Sequence, residues 1–233
     1  MQPARKFKVA ITNIYVKPHE IEKQILGEIA ELIIADRQIT TEDDLLNFAR
    51  DCHALMLSAI EPVTRRVIEG MHHLKIASRY GIGVDNVDVD AATERGVMVT
   101  NVPDYGLDEV ADHAFTLMLA ITRKLFIMEK SLKQGLWFEV QSKVKHLNSP
   151  SSQVLGLLGF GNIARRVALR AKPFGYKVIA YDPWVKSWDF ALQGVEMVDS
   201  LKDLLQRSDA VSIHVSLGPT SRHMIGEDEL RLM

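Results

Sequence analysis

The chain has 233 residues, 47% hydrophobic and 25% charged, enough for one large or two ordinary domains that each bury a core. Twenty-eight Lys and Arg against thirty Asp and Glu leave a net charge of −2, which offers DNA or RNA no basic field. A single cysteine, Cys52, excludes a disulfide framework within the chain and suits a reducing compartment.

Residues 1–6 are basic, but the apolar run behind them is broken by Lys8, Thr12 and Asn13 and is too short for a signal peptide. No stretch is long enough to span a membrane, so a cytoplasmic location is expected. Residues 7–12 form an apolar strand candidate. Lys17 and Pro18 open a helical stretch with Ile21, Ile25, Leu26 and Ile29 on one face. A second strand is expected at residues 31–35. Thr41 with Asp44 resembles a capping box and starts a helix through Leu45, Phe48 and Ala49. Residues 53–59 read as a third strand, and Cys52, in the same apolar run, reads as a buried strand residue. A short helix at residues 64–71, a strand at 74–78, a helix at 88–95 stopped by Gly96 and a strand at 97–101 follow. Strands alternating with helices imply a parallel sheet covered on both faces. The first domain is therefore expected to be an α/β unit over residues 1–101.

Val102, Pro103 and Asp104 break the pattern, and a second domain is expected over residues 102–233. It opens on the longest helix of the chain, with Leu107, Val110, Ala111, Ala114, Leu117, Met118, Ile121 and Leu125 at helical spacing and Asp108 and Glu109 near its positive end. Residues 141–152, including Asn148, Ser149 and Pro150, read as a polar surface connection.

The most informative stretch comes next. An apolar run from Val154, the pattern Gly159-x-Gly161-x-x-Ala164, a periodic segment and a second apolar run ending in Asp182 read as strand, tight turn, helix and strand. That is a dinucleotide-binding βαβ unit. Gly159 lets the chain leave the strand sharply, and Gly161 has no Cβ to keep a pyrophosphate from the amides near Asn162 and Ile163 at the positive end of the helix. Ala164 is small enough for the helix to pack closely on the strand. Asp182 lies 21 residues past Gly161, near the spacing of ~20 expected for an acid that accepts from a ribose 2′-OH. A 2′-phosphate would be repelled there, so NAD is expected over NADP. A strand at residues 195–198, a helix capped by Ser200 with Asp203, a strand at 210–215 and a helical segment at 227–232 complete the pattern. His72 and His73 are neighbours without ligand spacing, and no His-Glu-x-x-His pattern or cysteine cluster occurs, so no metal site is expected.

The block Arg79-Tyr80-Gly81-Ile82-Gly83-Val84-Asp85-Asn86-Val87-Asp88, with Ala91-Ala92-Thr93-Glu94-Arg95-Gly96 behind it, resembles the D-isomer-specific 2-hydroxyacid dehydrogenases. Asn101-Val102-Pro103-Asp104-Tyr105, Asp108-Glu109-Val110-Ala111-Asp112-His113, Gly135-x-Trp137, the Gly159 motif and Ser208-Asp209-Ala210-Val211-Ser212-Ile213-His214-Val215 match further family blocks in family order. The likeness covers nearly the whole chain and is nearest to the branch that includes relatives of the C-terminal-binding proteins, with phosphoglycerate dehydrogenase a more distant cousin. It implies a flavodoxin-like substrate domain and a Rossmann NAD-binding domain with the active site in the cleft between them. It implies an NAD-dependent oxidoreductase acting on a small 2-hydroxy or 2-oxo acid; from the net charge and the lack of a spanning stretch, neither a direct nucleic-acid partner nor a membrane is expected. It also implies that the backbone amides of Ile82 and Gly83 hold the substrate carboxylate, and that His214 and Val215 lie beside the cofactor without a catalytic role.

The family's catalytic arginine, glutamate and histidine are expected beyond Met233, as are the last strands of the cofactor sheet. Arg222, His223 and Glu227 do not match them in family order, so the chain reads as C-terminally truncated, with an incomplete Rossmann domain and impaired turnover. Residues 210–215 would then form an exposed apolar edge, which favours a homodimer. The alternative reading is a non-catalytic NAD-binding and partner-binding, corepressor-like protein.

Overall fold

A computed structural model describes residues 7–12, 14–15, 18–145 and 147–233. The basic residues 1–6, together with Asn13 and Lys17, lie outside the described residues. The chain divides into two compact units, Met1–Tyr105 and Gly106–Met233, a division four residues later than the one drawn from Val102.

The first unit runs β1 (Phe7–Ile11), α1 (Glu20–Leu26), β2 (Ala30–Ile34), α2 (Glu42–Ala49), β3 (Ala54–Leu57), α3 (Arg65–Gly70), β4 (Ile76–Arg79), α4 (Val89–Glu94) and β5 (Met98–Thr100). Its strands form one parallel sheet in the order β2-β1-β3-β4-β5, the flavodoxin-like arrangement. Helices α2, α3 and α4 cover one face, where Leu45, Val67, Ile68 and Ala91 pack on Ala10, Leu55, Leu57 and Ala77. The Thr41 cap is present: its hydroxyl oxygen accepts from the Asp44 amide at 3.1 Å. Cys52 is buried but precedes β3, and burial pushes its thiol above the ordinary value.

Helix α1 is turned the other way from its expected apolar face. Ile21, Ile25 and Ile29 are 61–70% exposed, while His19 and Glu22 are buried. The Tyr80 hydroxyl donates to Glu22 Oε1 at 2.6 Å, giving the inward carboxylate a partner that an isoleucine could not use. His19 Nδ1 stands 3.8 Å from the same oxygen. Burial raises the Glu22 carboxyl, but the Tyr80 bond, a bond from its own backbone amide and His19 together bring it below its ordinary value. A depressed folded-state pKa stabilises above the unfolded value of ~4.3 and loses that contribution as pH falls through the folded value. The melting temperature of the parent is therefore expected to fall more steeply below about pH 5 than that of Glu22→Gln; parallel curves would rule this out.

The second unit runs α5 (Leu107–Thr122), α6 (Leu125–Lys133), α7 (Trp137–Lys143), β6 (Val154–Leu158), α8 (Asn162–Ala171), β7 (Lys177–Tyr181), α9 (Ser187–Leu192), β8 (Glu196–Met197), α10 (Leu201–Arg207), β9 (Ala210–Ile213) and α11 (Glu227–Leu230). Its parallel sheet has the order β8-β7-β6-β9, the 3-2-1-4 portion of the doubly wound dinucleotide sheet. Ala111, Phe115 and Met118 of α5 pack with Ala164, Val167 and Ala168 of α8 on one face. Arg170 reinforces that pair by bonding Asp108 and Asp112. Leu204 of α10 covers Leu158 and Ile179 on the other face.

The expected single long helix is two. Lys124 takes a left-handed φ of 54°, so α5 stops at Thr122 and Leu125 begins α6. Val110, Leu117 and Ile121 face outward, because Leu107, Ala111, Phe115 and Met118 already fill the inner stripe. Helix α7 reaches Lys143 and so takes up the start of the expected surface connection at Gln141. Helix α9 was not legible as an element, and β8 is reduced to two residues.

Gly156 sits mid-strand for a packing reason. A Cβ there would lie 2.1 Å from Ser208 Oγ, a hydroxyl held by its 2.6 Å bond to the Leu204 carbonyl. Gly156→Ala is expected to cost ~1–3 kcal/mol through overpacking, read from urea unfolding. Adding Ser208→Gly should recover much of it; strictly additive losses would show that the two positions do not touch.

Candidate functional site

β6 ends at Leu158 and the chain turns at once through Gly159, whose φ is +88°. A Cβ there would lie 2.9 Å from the carbonyl carbon and oxygen of His214, so only glycine fits both the backbone and the space. Phe160 anchors the turn: it is fully buried and stacked on Phe190 with centroids 4.5 Å apart. Arg165 reaches back from α8, its Nε donating to the Phe160 carbonyl at 3.1 Å.

Gly161 is the N-cap of α8. No side chain caps it, and a Cβ there would meet nothing within 4 Å. The amides of Asn162 and Ile163 have no acceptor within the helix and no partner among the described residues. They stand beside open space at the positive end of a ten-residue helix, where an anion is favoured.

Asp182 follows β7 directly. Its Oδ2 accepts from the Phe160 amide at 2.8 Å and its Oδ1 from the Trp184 amide at 2.9 Å. The carboxylate ties the loop after β7 to the glycine turn, yet each oxygen keeps a second lone pair and the residue is only partly buried. It can still accept from a ribose hydroxyl.

His214 and Val215 complete this edge. The backbone of His214 donates to the Leu158 carbonyl at 2.7 Å, and its Nε2 lies 2.9 Å from Ser212 Oγ. Burial pushes the imidazole below its ordinary value, which makes it neutral at neutral pH. Val215 Cγ1 would be 3.1 Å from a Cβ on Gly159. Gly159, Gly161, Asn162, Ile163, Asp182, His214 and Val215 are thus gathered at the C-terminal ends of β6, β7 and β9, where open α/β sheets bind ligands.

Ile82 and Gly83 belong to the other unit, in the loop after β4. The Asn101 side chain donates to the Ile82 carbonyl at 2.7 Å. The Asn86 side chain donates to the carbonyls of Ser58 and Glu61 at 3.1 and 2.8 Å. These bonds fix the loop while the amides of Ile82 and Gly83 donate to nothing among the described residues. Among the described residues no group of three His, Cys, Asp or Glu side chains is placed to hold a metal ion, and no helix is long and apolar enough to cross a membrane.

Residues 115–233 match the family model described as "D-isomer specific 2-hydroxyacid dehydrogenase, NAD binding domain". The chain belongs to the D-isomer-specific 2-hydroxyacid dehydrogenase family. NAD is the cofactor of this family's domain, and the chemistry of the residues present suits it: the uncapped start of α8 an anion, the carboxylate after β7 a hydroxyl donor. The chain is similar to the D-3-phosphoglycerate dehydrogenase of Methanocaldococcus jannaschii, with 39% identity over 92% of this chain and 40% of that protein. It is also similar to the hydroxypyruvate reductase of Thermotoga maritima, with 39% identity over 90% of this chain and 66% of that protein. It therefore spans less than two thirds of either relative. Among solved structures, the D-lactate dehydrogenase of Aquifex aeolicus, complexed with NAD and lactic acid, superposes with a TM-score of 0.83 at 27% identity, over 97% of this chain and 66% of that one.

Two features of the candidate site escaped the sequence. Phe160, read only as the variable residue between two glycines, is the anchor of the turn. Its signal was weak: a large aromatic inside a tight turn must be either buried or exposed, and the sequence does not say which. Asp182 was read as a ribose acid alone, whereas it also accepts two backbone amides.

Proposed function

We propose that the chain belongs to an enzyme that transfers a hydride between NAD(H) and a small D-2-hydroxy acid or its 2-oxo acid. The observation that carries this is the Gly159 turn, with the free amides of Asn162 and Ile163 on one side and the partly free Asp182 carboxylate on the other. Bound there, NAD supplies or accepts the hydride. Asn162 and Ile163 would hold the pyrophosphate and Asp182 the adenosine ribose, disfavouring a 2′-phosphate. The neutral His214 and Val215 would wall the cofactor side of the turn. The free amides of Ile82 and Gly83 would receive the substrate carboxylate. No acid or base role is assigned to Arg222, His223 or Glu227.

A homodimer is part of this reading, because β9 stands at the edge of its sheet among the described residues with Ile213 54% exposed. Sedimentation should give twice the 26.2 kDa chain mass; a stable monomer would remove that part. The activity is tested by following NADH oxidation with glyoxylate, pyruvate and hydroxypyruvate, beside a direct titration with NAD. The same assay is run on the chain joined to the C-terminal segment of a relative; tight NAD binding without oxidation of NADH in both proteins would favour the non-catalytic alternative. Absence of NAD binding would end both.

A further inference from the structure

The strands of the first unit begin at the edge opposite the Ile82–Gly83 loop, and there a groove of about 900 Å³ opens. Its floor is a column of rings. Phe7 packs edge-on against His53 with centroids 5.4 Å apart, and His53 stacks on His73 at 5.7 Å. The Lys8 amide donates to His53 Nδ1 at 3.1 Å, so that nitrogen is an acceptor and Nε2 carries the proton as a donor.

The walls are cationic. Lys8, Lys75 and Arg95 line the groove, and none of them has an ion pair among the described residues; Arg37, Arg65 and Arg66 of the same unit are paired, Arg50 and Arg79 are not, but those two do not line the groove. His72 adds a further donor, and Asp51 is the acid in the lining. Glu31 pairs in register with Lys8 one strand over. Helices α2, α3 and α4 end at this edge, and a helix C-terminus favours a nearby cation by about 0.3–1 kcal/mol. That accounts for basic residues here but not for three of them left unpaired around one cavity. Three unpaired cations with imidazole donors match a ligand carrying several negative charges better than a single carboxylate, and the volume suits a small molecule. A metal ion is disfavoured because these histidines do not converge as ligands.

We propose that this groove binds a small, multiply charged anion of the polyphosphate or polycarboxylate class. The site is separate from the dinucleotide turn and does not depend on the function proposed above. The test is calorimetric titration of the full chain with pyrophosphate and, separately, with citrate, both in the presence of saturating NAD so that the Gly159 turn is filled. One site is expected, weakened at least tenfold by the double variant Lys75→Gln/Arg95→Gln and several-fold by His73→Asn. Raising the salt should weaken it further. Lys75, Arg95 and His73 are exposed, so the variants should melt with the parent. The difference between the two probes distinguishes phosphate from carboxylate ligands. Affinity unchanged in the double variant, no binding of either anion, or binding of Zn²⁺ alone in their place would each overturn the proposal.

Discussion

Gly159→Ala is expected to lose ~2–4 kcal/mol of stability and to abolish measurable NAD binding. The φ of +88° costs an L residue ~1–3 kcal/mol by itself. The new Cβ would also press on the His214 carbonyl at 2.9 Å, and because that atom is backbone, β9 has to move. The informative control is Gly161→Ala. A Cβ there meets nothing within 4 Å, so unfolding should change by no more than about 1 kcal/mol, what alanine costs at an N-cap. Its NAD affinity should nevertheless fall about tenfold or more, since the methyl would occupy the space left for the pyrophosphate. If both variants lost stability equally, or if Gly161→Ala bound NAD as the parent does, the division of labour between the two glycines would be wrong.

Replacing Asp182 by alanine is expected to act on folding and recognition together. The Phe160 amide, on a fully buried residue, loses its acceptor, and an unpaired buried N–H costs about 1–3 kcal/mol. The Trp184 amide is released with it. On the recognition side, NAD affinity should fall and the preference over NADP should shrink by about tenfold or more, equivalent to ~1.4 kcal/mol. Asp182→Asn separates the two effects, because its carbonyl oxygen can still accept one amide while the charge that repels a 2′-phosphate is gone. The measurement is the ratio of dissociation constants for NADH and NADPH in the three proteins. A parent that prefers NADPH would overturn the role given to Asp182.

The sequence made the parallel α/β order and the glycine turn legible, since strand-helix alternation and Gly159-x-Gly161 depend on local period and backbone freedom. What it hid were choices decided by distant partners. Ile21, Ile25 and Ile29 read as an inward face, but Tyr80, 58 residues from Glu22, makes the other side the buried one. The run from Leu107 to Leu125 read as one helix because its apolar residues keep helical spacing up to Leu125; nothing local reveals that Lys124 turns left-handed. The cofactor motif was found because its residues are contiguous, whereas the groove at His53, His73, Lys75 and Arg95 draws on separate strand starts and has no linear signature.

The bond between Phe160 and Asp182 sorts the amides of the glycine turn into two kinetic populations. The Phe160 proton is held inside by a charged acceptor and a stacked ring, so it exchanges with solvent deuterium only when the turn opens. Those of Asn162 and Ile163 have no acceptor among the described residues and exchange as quickly as their access to water allows. The turn is thus already shaped in the free protein, and a dinucleotide has little backbone left to order there. On binding, deuterium uptake should slow at two adjacent amides while the one two residues before them stays as it was.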